Sequence, residues 1–490
     1  MSWPTLITFA GYLIALTAIG LYFYRKSKDL EDYLLGGRGM GAWVTALSAQ
    51  ASDMSGWLLM GLPGAIYVSG LSDSWIATGL FFGTVLNWQL ISGRLRIYTK
   101  ATETITLPSF FEERFADPTG LLRMVSAVVI LVFFTIYASS GLIAAGKLFE
   151  STFGISYSYA VLTGGIIIVL YTFLGGFLAV CWTDLFQGLL MILAIVVVPV
   201  VAFHNIGGLQ PIIEALDARN IPKGFIPGGP GVPALTVLSA MAWGLGYFGQ
   251  PHILTRFMGV QSLAKLKKSR IIAIVWVAIS LSGAVIIGMI GIGMYETLDI
   301  AQKEQEKVFI YMIRDMMGPW LGGMMLAAVL SAIMSTIDSQ LLVSSSALTE
   351  DFYRRVVRRR AGNREIMMVG RACVIIISII ALTMAMDPRD SILGIVAYAW
   401  GGFGAVFGPI VLFALFSRRT TWQSALAGML AGTVALFAWK YSAWGSAMYE
   451  IVPGFLANIF TVCIVDFFFP QKNPDVLNRH DQIFSGSSSV

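Results

Sequence analysis

Apolar residues run almost unbroken for about twenty positions at a time, and short polar breaks separate the runs. A run of that length crosses the hydrocarbon core of a bilayer as a helix, so the pattern predicts membrane spans rather than a soluble core. About thirteen runs can be marked, at approximately 5–24, 40–69, 72–95, 121–148, 157–175, 178–203, 234–257, 270–296, 316–346, 364–385, 391–416, 420–441 and 448–470. The expected fold is an all-α integral membrane protein with a single transmembrane domain over 1–470. The last twenty residues are polar, end in S-G-S-S-S-V, and are expected to be a disordered tail over 471–490.

Two runs are interrupted. The second carries Ala51-Ser52-Asp53-Met54-Ser55-Gly56-Trp57, followed closely by Gly61, Pro63 and Gly64. The seventh carries Gly244-Leu245-Gly246-Tyr247-Phe248-Gly249-Gln250-Pro251. Glycine and proline weaken a helix and free its carbonyls. The two breaks are an odd number of spans apart, so they cross the bilayer in opposite directions. Paired breaks in two inverted halves point to the binding site of a secondary transporter. The halves are expected at approximately 40–203 and 234–416, with one span before them and two after.

Composition agrees with the spans. The 490 residues are 56% hydrophobic and only 12% charged, about half the charged share of a soluble protein. Mean hydropathy is +0.74. A net charge of +5 would suggest nucleic acid in a soluble chain. Here the basic residues gather in short loops, as Arg94/Arg96/Lys100/Arg114, Arg256/Lys265/Lys267/Lys268/Arg270 and Arg354 to Arg364. That bias orients the chain, with an outside N-terminus, an uncleaved first helix and a cytoplasmic C-terminus. No nucleic-acid partner is expected. Cys181, Cys373 and Cys463 all fall inside apolar runs, and the three histidines are far apart. No disulfide framework, zinc site or haem site follows from them. Residues 97–120 read as an amphipathic inner segment, and 204–233 as an outer cap.

A carboxylate within an apolar run costs on the order of 2.5–3.5 kcal/mol, so Asp53 is a functional candidate. Freed carbonyls beside it make a site for a small cation. In the ninth run Ala332, Ser335 and Thr336 stand at i, i+3 and i+4, on one helical face. With carbonyls from Ala51 and Met54 they offer about five hard, mostly neutral oxygens, which suits a monovalent ion. The simpler alternative is that Ser335 and Thr336 bond back to their own helix. Asp184 and Asp338, with Ser339 beside the latter, are either a second cation site, a relay on the ion path, or locally bonded acids. Trp57, Tyr137, Trp243, Tyr247, Phe248 and Pro251 offer an aromatic and apolar box. Half-helix N-termini there hold a carboxylate and aromatic faces hold an ammonium, so a small amino-acid zwitterion with an apolar body fits. Gly401, Gly402, Gly404, Gly408 and Pro409 read either as a flexible gate or as close helix packing.

Several stretches carry a resemblance. They include D-Y-L-L-G-G-R at 32–38, A-L-S-A-Q-A-S-D-M-S-G-W-L-L-M-G-L-P-G-A at 46–65 and L-F-E-S-T-F-G at 148–154. Others are Y-T-F-L-G-G-F-L-A-V-C-W-T-D at 171–184, W-G-L-G-Y-F-G-Q-P-H at 243–252, M-S-T at 334–336 and Y-A-W-G-G-F-G-A-V-F-G-P at 398–409. In these the chain resembles the sodium/solute symporter family, and within it the proline-carrying branch. The resemblance implies a LeuT-like 5+5 inverted repeat and alternating access in a bacterial cytoplasmic (inner) membrane. It implies sodium on Ala51, Met54, Ala332, Ser335 and Thr336. Asp53, Ser55 and Gly56 would support sodium and substrate, and Asp184 would be an acid on the ion path. Arg38 would influence inner opening. Trp57, Tyr137, Trp243, Tyr247 and Pro251 would match proline-binding positions. Asp338 departs from the small or neutral residue that the family leads one to expect.

The function expected is sodium-coupled uptake of L-proline by a carrier acting as a monomer among membrane lipid, with Na+ as coupling ion and no cofactor. Another solute, such as pantothenate, a sugar or a sialic acid, is the alternative. A transporter-like sensor is disfavoured because the stretch after 470 is too short for a signalling module. An intramembrane enzyme is disfavoured because no nucleophile stands with clustered His, Cys or paired acids.

Overall fold

The apolar runs fold as helices, and the helices break where glycine and proline weaken them. This computed structural model describes residues 3–24, 35–174, 176–227, 233–387, 390–445 and 447–485. Arg25, Lys26 and Lys28, which follow the first run, and the last five residues of the tail lie outside the described residues. Helix α1 is Trp3–Tyr24. The first interrupted segment is α2, Ala42–Ala51, then a break, a π-turn at Trp57–Gly61 and α3, Leu62–Ser69. Next come α4, Ser74–Leu86, a second π-turn at Asn87–Ile91 and α5, Ser92–Ala101. A short α6, Leu107–Phe115, leads into α7, Leu121–Phe153, α8, Tyr157–Leu174, and α9, Phe177–Asn205.

After α10, Gln210–Ala218, the second half opens with its own interrupted segment. It is α11, Pro233–Met241, a 3-10 stretch at Ala242–Gly249 and α12, Pro251–Met258. Then follow α13, Leu263–Met294, α14, Val308–Met316, α15, Pro319–Ser346, α16, Asn363–Ala385, and α17, Ile392–Phe416. Helices α18, Trp422–Lys440, α19, Ile451–Phe468, and α20, Pro474–Ser485, end the chain.

Each half therefore begins with a broken helix and goes on to long ones. Among the described residues, 9 helices are long and apolar enough to cross a bilayer. The other four expected spans fall on the two broken segments, on α4–α5 with its π-turn, and on the shorter α8. Burial separates the centre from the rim. The apolar windows of Pro319–Arg355 and Ile392–Phe416 are 83% buried, against 17% for Trp3–Phe23. Helix α15 packs on α7, α9 and α1, while the 3-10 stretch packs between α4 and α17. The two breaks thus lie beside the most enclosed helices.

Helix starts are set by short polar residues. Thr106 and Ser109 form a reciprocal capping box on α6. Ser262, Ser391 and Thr421 each accept a backbone N–H in the first turn of α13, α17 and α18. Such a cap contributes about 1 kcal/mol. The amphipathic piece expected within 97–120 is α6, which lies against α7. The cap expected over 204–233 contains α10, packed on the end of α13, with Arg219 donating to Tyr67 O at 3.1 Å.

Two expectations change. Loop arginines Arg96 and Arg114 are buried staples: Arg96 Nε donates to Val260 O at 2.7 Å, and Arg114 Nε to Ala414 O at 2.7 Å. Their carbonyl partners come from distant segments, which the linear charge pattern does not carry. The tail expected to be disordered holds α20 instead. Arg479 pairs with Glu113, Asp481 with Arg418 at 2.8 Å, and Phe484 lies against Tyr98 and under the Arg94 guanidinium. Residues Val476, His480, Ile483 and Phe484 give the helix one apolar face.

Burial, with the Arg114 guanidinium next, pushes the His480 imidazole down to about 4. An undocked His titrates near 6.5, so protons favour the undocked helix as pH falls from about 6.5 towards 4. Hydrogen exchange of residues 474–485 is therefore expected to speed up about thirtyfold, beyond the intrinsic pH effect, between pH 7.5 and pH 5. His480→Phe should abolish that dependence.

Candidate functional site

Helix α2 ends at Ala51, and the next turns are irregular. Asp53 N and Met54 N both donate to Gln50 O, at 3.2 and 2.9 Å, and Ser55 N turns back to Asp53 O at 2.9 Å. A Cβ at Gly56 would stand 2.6 Å from Ala144 Cβ, so only glycine lets the break lie against α7. Opposite the break runs α15. Ser335 Oγ donates to Ala51 O at 2.8 Å, and Thr336 Oγ1 to the same oxygen at 3.3 Å. Both hydroxyls also reach Ala332 O, at 3.2 Å each.

Four of the five proposed ion ligands therefore meet at one point. Two are carbonyls and two are hydroxyls, all buried. Met54 lies on the same turn, fully buried, without a hydrogen bond to α15 among the described residues. The alternative in which Ser335 and Thr336 bond only within their own helix does not describe the structure, since both also cross to Ala51.

Asp53 anchors the aromatic group. Its Oδ2 accepts from Tyr247 Oη at 2.6 Å. Its backbone oxygen accepts from Trp57 Nε1 at 2.9 Å and from Tyr137 Oη at 3.3 Å. Ser55 Oγ accepts from Trp57 N at 3.3 Å. Asp53 Oδ1 is buried with no hydrogen-bond partner among the described residues. A buried acceptor left so costs about 1–3 kcal/mol or more, which marks it as a place where something polar binds.

The other expected box residues divide. Trp243 packs on Tyr449 at 5.4 Å, and its carbonyl accepts from Trp400 Nε1 at 2.7 Å. Phe248 is buried and Pro251 starts α12, on the same segment as Tyr247. Trp400 was not among the residues expected here. It stands edge-on to Tyr247 at 4.9 Å and also accepts, through its carbonyl, from Gln250 Nε2 at 3.3 Å. Its place in Y-A-W-G-G, beside the glycines, was the available signal.

Those glycines act by close approach. A Cβ at Gly401 would come within 3.1 Å of Tyr449 Oη, and one at Gly404 within 2.4 Å of Ile451 Cδ1. Helix α17 runs through both without a break, and at both a neighbouring side chain takes the room of a Cβ. Arg38 bridges the start of the first half to two other segments. Nη1 donates to Met258 O at 3.1 Å, and Nη2 to Thr99 O and Thr104 O at 3.1 and 2.8 Å.

Below the first site lies a second polar group. Ser48 Oγ donates to Asp184 Oδ2 at 2.7 Å. Arg256, counted above as a loop charge, is fully buried here. Its Nη2 reaches Asp184 Oδ2 at 3.4 Å and Ser339 Oγ at 2.5 Å, and its Nε reaches Ser48 Oγ at 3.1 Å. Ser339 Oγ also donates to Asp338 Oδ1 at 3.5 Å. Asp184 Oδ1 and Asp338 Oδ2 have no hydrogen-bond partner among the described residues. The correction has a simple cause. Arg256 follows the broken segment by one turn and donates to His252 O at 2.8 Å, but in sequence it is close to Lys265–Arg270 and reads with them.

Two inverted broken helices, meeting at freed carbonyls beside an anchored aromatic group, define a secondary transporter rather than an enzyme. The chain belongs to the sodium:solute symporter family, whose pattern it matches over residues 33–432. It is 46% identical over 479 residues to a sodium/proline symporter of Escherichia coli (strain K12), covering 97% of this chain and 94% of that relative. It is 44% identical over 468 residues to the osmoregulated proline transporter OpuE of Bacillus subtilis (strain 168), covering 95% of each. In three dimensions it is similar to the substrate-bound outward-open structure of a Na+-coupled sialic acid symporter. That match has a TM-score of 0.81 at 20% identity and covers 96% of this chain and 99% of that one. The structure of MhsT with L-phenylalanine matches at a TM-score of 0.55 and 13% identity, over 87% and 97%. At these identities the likeness to solved structures shows the fold alone, the LeuT-like one. The chain is a multi-pass membrane protein.

Arg256 faces two buried carboxylates, so removing its charge should leave them uncompensated. Arg256→Gln is expected to cost about 3 kcal/mol or more of stability, read as a lower unfolding temperature in detergent. Adding Asp184→Asn should restore most of the loss.

Proposed function

We propose that this chain carries L-proline into the cell together with sodium, by alternating access across a bacterial cytoplasmic membrane. The observation that carries the reading is the meeting of the Ser335 and Thr336 hydroxyls with Ala51 O, next to the aromatic group held by Asp53. The names of the relatives, a sodium/proline symporter and a proline transporter, supply the cargo.

Sodium binds by turning lone pairs of Ala51 O, Ala332 O, Ser335 Oγ and Thr336 Oγ1 onto one ion, with Met54 O closing the shell from the break. The hydroxyl protons, now given to carbonyls, rotate away. The ion then does what the two hydroxyls do alone, joining α2 to α15 more firmly. Asp53, Ser55 and Gly56 keep the break in place. Holding it also holds Trp57 and Tyr247, so proline finds a formed box and binds more tightly. The same coupling makes proline tighten sodium. The free Asp53 Oδ1 accepts from the ring nitrogen of proline, and Trp57, Tyr137 and Tyr247 enclose the apolar body. Trp243, Phe248 and Pro251 shape the outer side of the same segment.

Asp184, Asp338 and Ser339 lie on the inward route of the ion. Arg256 already supplies one positive charge there, which favours an exit path over a second tightly held ion. Arg38, at the junction of Thr99 and Met258, influences inner opening. On this reading an odd number of crossings, thirteen, leaves the termini on opposite faces, and the gathering of Lys and Arg in short loops favours an outside N-terminus and an inside C-terminus, with the monomer as the unit of transport. One charge moving down 100 mV supplies about 2.3 kcal/mol, enough for roughly 50-fold accumulation.

Purified protein in vesicles should take up labelled proline only with an inward sodium gradient, and faster with a negative interior. Uptake that is equal with choline in place of sodium would refute the reading. Excess unlabelled pantothenate, sugar or sialic acid should not compete. Thr336→Ala is expected to raise the sodium concentration for half-maximal uptake by about tenfold, the loss of roughly one charge-assisted contact, with little change in protein abundance. An unchanged sodium dependence would count against the ligand set.

A further inference from the structure

Away from both polar groups, a cavity of about 460 Å³ opens at the side of the bundle where α5, α13 and the end of α17 meet. Three cationic side chains line it: Arg94, Lys267 and Arg270. Among the described residues its lining carries no Asp or Glu. The floor is Trp88, which is buried, and the rim includes Leu90 and Phe416, both exposed.

The placement follows from the sequence. Helix α13 presents Leu263, Leu266, Lys267 and Arg270 to the cavity, at i, i+3, i+4 and i+7 of one face. One residue later the exposed apolar surface of that helix begins, with Ile271 65% exposed and Val275 54%. The segment entering α5 changes in the same way, from the exposed Leu86 and Leu90 to Arg94. At the end of α17, Phe416 is followed by Arg418 and Arg419. Three chain segments thus pass from apolar to basic at one level, and the cavity sits on that boundary. Arg94 is held in place by its bond to Leu415 O at 2.9 Å and by the Phe416 ring at 4.5 Å. Three cations, Arg94 among them fixed in place, at the mouth of a groove whose rim is apolar match a phosphodiester with acyl chains attached. A free anion would leave the apolar rim bare.

We infer that this groove is a binding site for an anionic phospholipid, with the phosphate between Arg94, Lys267 and Arg270 and the acyl chains along Leu90, Ile271 and Phe416. It does not depend on which solute or ion is carried.

The test uses the full chain, delipidated in detergent and titrated with phosphatidylglycerol or phosphatidylethanolamine, with bound lipid counted by native mass spectrometry. Phosphatidylglycerol should bind in preference. The pair Lys267→Gln/Arg270→Gln should weaken it about thirtyfold, each charge being worth about a fivefold factor near an anionic lipid. The control pair Lys265→Gln/Lys268→Gln removes equal charge from exposed positions outside the cavity and should change binding little. Equal losses in the two pairs, or equal binding of both lipids by the unaltered chain, would overturn the inference. Displacement of the lipid by millimolar inorganic phosphate would overturn the lipid assignment. Should the first pair fail to fold, photo-crosslinkable phosphatidylglycerol on the unaltered chain should label 86–97 and 263–275; labelling spread over other spans would refute the site.

Discussion

The arrangement depends on what becomes of one backbone oxygen. A helix that stops at Ala51 inside the bilayer leaves a carbonyl that water does not reach, and an unmet carbonyl there costs several kcal/mol. The structure meets it with Ser335 and Thr336 from α15. That choice brings a helix of the second half against the break in the first. It requires a glycine at 56, because α7 comes too close for a side chain. It also turns Asp53 towards Tyr247 rather than along a helix. The cluster of carbonyls and hydroxyls proposed to hold the ion, and the aromatic group, are in this sense consequences of one interrupted ladder of hydrogen bonds.

The same bonds explain how two cargoes can be linked. Hydroxyl-to-carbonyl contacts are modest in net energy, about 1 kcal/mol each. They hold the break near α15 without locking it. An ion that uses the same oxygens adds to them only when the two elements are together. It therefore shifts the population of one arrangement by its difference in affinity between arrangements. The aromatic group reads that shift through Asp53, whose carboxylate and backbone oxygen together hold Trp57, Tyr137 and Tyr247.

Much of this was legible in sequence, for a physical reason. A carboxylate with glycine and hydroxyl neighbours in an apolar run has few roles open to it, and hydroxyls at i+3 and i+4 both lie over the carbonyl of residue i, here Ala332. The runs themselves marked where the helices lie, including the broken ones. What was not legible were charges whose partners are far away in the chain. Arg256 reads as a loop residue because Lys265 and Lys267 are near it in sequence, while Asp184 and Ser339, which it touches, are not. Arg96 and Arg114 are hidden in the same way, since their acceptors are carbonyls. In the tail, α20 was masked by the polar residues on its outer face. Its apolar spacing from Val476 to Phe484 was present but short. At Gly401 and Gly404 the close neighbours Tyr449 and Ile451 are likewise distant in the chain.

The central claim is that sodium joins the broken turn of α2 to α15. Hydrogen exchange of the purified protein, in sodium and then in choline at equal ionic strength without substrate, measures this directly. Sodium is predicted to slow exchange in the peptides covering residues 48–60 and 330–340 together, more than elsewhere. Exchange unchanged in both segments, or slowed in one and not the other, would contradict the account.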